Sequence, residues 1–137
     1  MPISDDETLR GVLESANTIA VVGCSSTPGK AAHDIPHYLL ETGYDVVPVN
    51  PFAEEILGQA VYDSLATVPD KIDVVDVFRP SEEVPEIVEE ALDRKEEPLI
   101  WLQLGITHAD ALARAEAAGL RTVQDRCMKV EHRRLVD

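Results

Sequence analysis

The sequence predicts an α/β protein: a Rossmann-like open parallel sheet of five strands with helices on both faces. Three observations predict it. Short apolar runs recur near residues 18–22, 44–49, 72–78, 98–102 and 121–123. Most are rich in β-branched residues, as strands buried on both faces are. Amphipathic stretches of helical period separate most of these runs. The resulting order, a leading helix and then β-α-β-β-α-β-α-β-α, is that of a parallel sheet with crossover helices. Right-handed crossovers and a central first strand give an expected strand order of 3-2-1-4-5. Ligands in such sheets bind outside the carboxyl ends of the strands, at the switch point. That order places the switch between the first and fourth strands.

The elements follow in turn. Ser4 is the expected N-cap of the leading helix, with Asp5, Asp6 and Glu7 in its first turn, where carboxylates suit the helix dipole. Leu9, Val12 and Leu13 share one face, and the helix ends near Asn17. Thr18-Ile19-Ala20-Val21-Val22 is the first strand and runs into Gly23-Cys24-Ser25-Ser26-Thr27-Pro28-Gly29-Lys30. The next helix carries Pro36, which favours a late start near Asp34, and it closes at Gly43 as a C′ residue. After the second strand, Asn50-Pro51-Phe52 is a turn, and residues 56–62 are a loop or short edge piece. The third strand is followed by a helix capped at residues 81–83 and running to about Arg94. The fourth strand leads to an alanine-rich helix that opens at Thr107 or His108 and stops at Gly119. A short fifth strand precedes a last helix capped by Asp125.

Length and composition bound the function. The 137 residues suit one domain, 1–137, with a sizeable core. Twenty-six acidic against 12 basic residues give a net charge of −14. That balance disfavours nucleic acid and anionic membrane as partners, since both need a basic footprint. No apolar run approaches membrane-spanning length. The first residues lack the pattern of a signal peptide, and two cysteines fit reduced thiols in a cytoplasm. An acidic surface with only Lys30, Lys71, Lys95 and Lys129 as lysines suits solubility at high salt and leans toward a halophilic source.

The loop after the first strand is the leading candidate site. A buried strand, a small-residue turn and a helix start aim N–H groups and partial positive charge at an anion, commonly a nucleotide pyrophosphate. The full dinucleotide pattern is G-x-G-x-x-G, with an acidic residue about 20 residues later for the ribose. Here Gly23 fits, Ser25 replaces the second glycine, and the second strand ends in Val49-Asn50-Pro51 with no carboxylate. Phosphate binding is the better reading and NAD binding the weaker. The carboxyl rim is expected to gather Gly23, Cys24, Ser25, Ser26, Thr27 and Lys30 with Asn50, Pro51 and Phe52. Phe78, Arg79 and Pro80 join them, as do Gln103 and Gly105. Arg79 offers a fork for phosphate, and Pro51, Phe52 and Pro80 offer apolar faces for adenine. Cys24 and Cys127 sit at expected helix starts, where a thiol can be activated. Cys127 reads better as a small filler, and Cys24 is left open. His33 and His37 lie four apart on a helix, but no third ligand stands at a known spacing, so no metal is expected. No motif of a hydrolase, kinase-type loop or zinc enzyme occurs, and no catalytic constellation is seen.

Five stretches together resemble the stand-alone CoA-binding domain proteins, the YccU-like family. They are Ala20-Val21-Val22-Gly23-Cys24-Ser25, Tyr44-Asp45-Val46-Val47-Pro48-Val49-Asn50-Pro51 and Asp73-Val74-Val75-Asp76-Val77-Phe78-Arg79-Pro80. The others are Trp101-Leu102-Gln103-Leu104-Gly105-Ile106 and Asp125-Arg126-Cys127-Met128-Lys129-Val130-Glu131-His132. The family is similar to the nucleotide-binding domain of the succinyl-CoA synthetase α-subunit. The resemblance implies coenzyme A over the first loop, touching Cys24 to Thr27, then Asn50 and Pro51, then Phe78 to Pro80. It also implies a second, histidine-bearing domain in the synthetase, for which a chain ending at Asp137 has no room, so ligase activity is not expected. The synthetase's lysine after the second strand has no counterpart in Ala53-Glu54-Glu55.

The leading expectation is a non-catalytic binder of coenzyme A or an acyl-CoA, as carrier, sensor or regulator, with room for a homo-oligomer. The alternatives are an NAD(P)-binding oxidoreductase-like domain, or a subunit of a CoA-ester enzyme whose partner supplies the catalytic groups. A pure interaction module rests only on the acidic surface.

Overall fold

A computed structural model describes residues 1–136. Five parallel strands form the sheet: β1 (Thr18–Val22), β2 (Asp45–Val49), β5 (Val74–Val77), β6 (Leu99–Leu102) and β7 (Thr122–Val123). A separate two-residue hairpin, β3 (Glu55–Ile56) with β4 (Gln59–Ala60), lies between β2 and β5. The α-helices among the described residues are α1 (Asp6–Ser15), α2 (Ala31–Glu41), α3 (Val84–Leu92), α4 (Ala109–Ala117) and α5 (Met128–Leu135). Among the described residues no helix is long and apolar enough to cross a membrane.

Alternation along the strands builds two cores. Ile19 and Val21 of β1, with Val74, Leu99, Trp101 and Val123, pack against α1, α2 and α5 through Leu9, Leu13, Leu39 and Met128. Ala20 and Val22, with Val47, Val49, Val75, Val77, Ile100 and Leu102, pack against α3 and α4 through Val84, Val88, Leu112 and Ala115. Apolar burial on both faces is what the β-branched runs foretell.

The strand order corrects the expectation. It is β2-β1-β5-β6-β7, so the third long strand lies between the first and the fourth, not outside the second. Pro48 supplies the physical reason. Its carbonyl accepts from Tyr62 N (3.2 Å) on the outer side of β2. In a strand, a residue's N and C=O point to the same side, so the missing Pro48 N–H also faces outward. A further strand there would lack a ladder bond, and proline confines β2 to the edge. The sheet therefore has the order 2-1-3-4-5 in strand count, and its switch point falls between β1 and β5.

Helix boundaries differ in detail. Asp5, not Ser4, caps α1, accepting from Thr8 N at 2.9 Å. Cys127, not Asp125, stands at the N-cap of α5, and Asp125 takes a left-handed φ of 55°. The helix α2 begins at Ala31, earlier than Pro36 suggested, and keeps that proline inside. Pro36 cannot donate to Ala32 O, four residues back. The Ser25 amide takes that carbonyl instead, at 2.9 Å. A helical defect is thus used to anchor the loop after β1.

Candidate functional site

Two neighbouring strand ends define the site, β1 with β2, and the end of β5 closes it. Gly23 follows β1 at φ +88°, and its N–H reaches Val49 O of β2 at 3.0 Å. A Cβ there would lie 2.7 Å from Arg79 Cδ and 3.0 Å from Phe78 O. Only glycine meets both demands, a positive φ and the aliphatic stem of Arg79 laid across it. Asn50 clamps the two turns together, Nδ2 donating to Cys24 O at 2.9 Å, and fixes its own turn, Oδ1 accepting from Phe52 N at 2.7 Å.

These strand ends floor a cleft of about 390 Å³. Of the sequence candidates, Gly23, Asn50, Pro51, Phe52 and Arg79 line it. So do Asp63, Glu83, Glu86 and Glu90, which the sequence reading did not single out. The Phe52 ring stands 94% exposed at its margin. Arg79 is the one basic side chain among the described residues lining the cleft. It is gripped by Glu83 through Nε and Nη2, at 3.0 and 2.8 Å. Those hydrogen bonds hold the Glu83 carboxyl below its usual range. Glu90 Oε1 accepts from Ala66 N at 3.2 Å.

The remaining candidates lie elsewhere. Ser26, Thr27 and Lys30 are exposed along the loop on the way to α2. Much of that loop's donor capacity is already used. Ser25 N bonds Ala32 O, Thr27 N bonds Ser25 Oγ at 3.0 Å, and Gly29 N bonds Asp34 Oδ1 at 3.1 Å. Cys24 is fully buried in the α1–α2–α5 core, and burial, with the nearby Asp76 carboxyl, pushes its thiol up to about 12. A reactive Cys24 thiol is therefore not what the fold provides; its side chain is a core filler. Phe78 is half-buried and Pro80 exposed outside the cleft lining. Gln103 is 4% exposed, and its Oε1 caps α5 by accepting from Met128 N at 3.0 Å. Gly105 N donates to Asp125 Oδ1 at 2.7 Å, on the far half of the edge.

Arg126, oddly placed in sequence at the start of a helix, finds a carboxylate partner in Glu131 and also donates to Ser4 O at 3.2 Å. His33 and His37 each turn to a carboxylate beside them, Asp34 at 3.1 Å and Glu41 at 3.7 Å. A larger groove, about 610 Å³, lies at the other end of the edge between the N-terminal residues, Leu104, Cys127 and Val130. It carries nothing from the β1 or β2 turns.

Three of the missed acids had a legible signal. Glu83, Glu86 and Glu90 recur at three- and four-residue steps, one face of the helix that follows Arg79. Asp63 had none, because only the fold brings it to the end of β2.

Known proteins place this architecture. The CoA binding domain family matches residues 17–133. The uncharacterized protein YneT of Bacillus subtilis is 35% identical over 124 residues, covering 90% of this chain and 91% of its own. A solved structure of a hypothetical protein from Pyrococcus horikoshii superposes with a TM-score of 0.92 at 42% identity, over 100% of this chain and 97% of that one. Acetate–CoA ligase (ADP-forming) I of Archaeoglobus fulgidus is 29% identical over 119 residues, which are 80% of this chain but 17% of the ligase. The Gly23 turn, the Asn50 clamp and the β5 edge thus stand in a fold shared end to end with stand-alone proteins, and this chain belongs to the family of CoA binding domains.

Proposed function

We propose that the chain binds coenzyme A or an acyl-CoA at the carboxyl edge of its sheet, as a non-catalytic carrier, sensor or regulator. One observation carries the reading: within the residues matched to the family, the ends of β1, β2 and β5 converge on a single cleft. The adenine end lies against Pro51 and Phe52. The diphosphate lies over Ser26, Thr27, Lys30 and the opening N–H groups of α2, where the helix dipole favours an anion. The protein works as a single domain, alone or in a homo-oligomer, in the cytoplasm of a salt-tolerant cell. It takes a small-molecule ligand and neither nucleic acid nor membrane.

Thermal unfolding with CoA, acetyl-CoA, NAD and ATP, at low and molar salt, tests this. Ligand at ~100 times its Kd stabilises by ~2.7 kcal/mol, a clear rise in Tm. A rise with CoA or acetyl-CoA supports the reading, and a rise with NAD alone replaces it with the oxidoreductase-like one.

The similarity to part of an acetate–CoA ligase favours a second reading, a subunit whose partner supplies catalysis. Co-purification with a nucleotide-activating subunit favours it; a clean homo-oligomer counts against it.

A further inference from the structure

We propose that the cleft recognises an adenine nucleotide through free ribose hydroxyls, with Asp63 as their acceptor, and disfavours a 3′-phosphate. The inference rests on the reading that this edge takes a CoA-type nucleotide, and it specifies which form of that nucleotide fits.

The first support is where the chain sets Asp63. Along the sequence, no carboxylate follows Val49 at the end of β2. The chain leaves β2, makes the β3–β4 hairpin, and returns to the same place. Tyr62 pairs with Val49 in a parallel bridge, its carbonyl accepting from Asn50 N at 2.9 Å. Asp63 is the next residue and lines the cleft beside Asn50. In dinucleotide-binding folds an acid in this place accepts hydrogen bonds from ribose hydroxyls. Here an excursion of some dozen residues, rather than β2 itself, delivers it.

The second support is charge. Asp63, Glu83, Glu86 and Glu90 face the cleft, and Arg79, already held twice by Glu83, is its one basic lining residue among those described. A phosphomonoester carries close to two negative charges at neutral pH, and here it meets like charge. A neutral diol meets acceptors. The exposed Phe52 ring remains free to stack on an adenine.

Calorimetric titration of the full chain with CoA, dephospho-CoA and ADP tests the proposal, with Asp63→Asn and Glu86→Gln beside the wild type. Both substituted residues are exposed, and unfolding curves check that the variants fold. Dephospho-CoA is expected to bind at least tenfold tighter than CoA at low salt. The gap should narrow near ~1 M salt, where charges are screened over ~3 Å. Asp63→Asn should weaken dephospho-CoA about tenfold and CoA far less, and Glu86→Gln should improve CoA. Equal or tighter binding of CoA by the wild type overturns the proposal and leaves the CoA reading intact. Binding of ADP alone, weakened by Asp63→Asn, keeps the ribose proposal and removes the CoA reading. Binding of none of the three removes both.

Discussion

The loop after β1 and the cleft after β2 lie side by side, yet they meet their polar demands in opposite ways. The loop spends its donors on itself. Ser25, Thr27 and Gly29 give their N–H groups to Ala32 O, Ser25 Oγ and Asp34 Oδ1. Asp34, below its usual range because His33 and the Gly29 amide bond its carboxylate, already occupies an anion's place there. The cleft is acidic: Glu83 and Glu90 are bonded to Arg79 and Ala66 N, while Asp63 and Glu86 stay exposed. A nucleotide arriving here has a diphosphate end, which must compete with an internal carboxylate, and a ribose end, which meets the exposed carboxylates of Asp63 and Glu86. The comparison teaches that a glycine-led turn identifies where a ligand sits, while segments distant in sequence decide which ligand it is.

The firmest way to break that comparison is at Gly23, the hinge between the two regions. Gly23→Ala must accept a positive φ, at ~1–2 kcal/mol, and displace Arg79 Cδ and Phe78 O, from which its Cβ would lie 2.7 and 3.0 Å. A loss of about 2–4 kcal/mol in denaturant unfolding is expected. Gly29→Ala is the control: it has a φ of +94° but nothing within 4 Å of its Cβ. Equal losses at the two sites would refute the crowding by Arg79. Asn50→Ala ranks next. It removes one hydrogen bond that joins the turns and one inside the β2 turn, at about 1–3 kcal/mol in all. Faster amide exchange at Phe52 is also expected. An unchanged midpoint and unchanged exchange would show that the turns hold without the clamp.

Much of this was written in the sequence. The five buried strands, the Gly23 turn and the Gly43 helix stop follow from apolar runs and from residues that tolerate positive φ. Other features needed a competing signal to be weighed. Pro48 sits within β2 and confines it to an edge, which alone argues against an order with a strand outside it. Pro36 pointed to a late helix start, but the carbonyl it frees has a partner waiting in Ser25, and that bond cannot be foreseen from local pattern. Gln103 follows Trp101 by two residues and so points to the same buried face, a parity that could have removed it from the rim. For Cys24, strand alternation ends at Gly23, so its side was not legible. Asp63 reaches the cleft by pairing across a dozen residues, which no periodicity records.

Another contrast with the acidic cleft is Asp76, a carboxyl fully buried in β5 with neither oxygen hydrogen-bonded among the described residues. Burial raises it well above the ordinary range. Its contribution has a definite sign. The folded state holds the proton more tightly than the unfolded chain, so stability is fullest below the unfolded value of ~3.9 and declines as pH rises through the folded one. Asp76→Asn keeps the shape and cannot ionise. Its Tm should match that of the wild type near pH 4 and exceed it by a few degrees at neutral pH. A constant difference across that range would mean that ionisation plays no part.

The smallest effect on stability is expected at Arg79, and it separates the stem from the charge. Its guanidinium pairs with Glu83 where both side chains are more than 40% exposed, so the pair contributes ~0.2–1 kcal/mol. The stem is different, because Cδ and Cγ cover Gly23. Arg79→Met keeps the stem and removes the charge; Arg79→Ala removes both. If the guanidinium is spent on Glu83, Arg79→Met should unfold within ~0.5 kcal/mol of the wild type, and Arg79→Ala should lose slightly more. The salt response makes the test independent of packing. The wild-type advantage over Arg79→Met should shrink at molar salt, and the difference between Met and Ala should not, since dispersion contacts are not screened. A large loss in Arg79→Met that persists at high salt would mean that the guanidinium does more than answer Glu83. The cleft would then hold a working cation, and its balance would tip back toward phosphate.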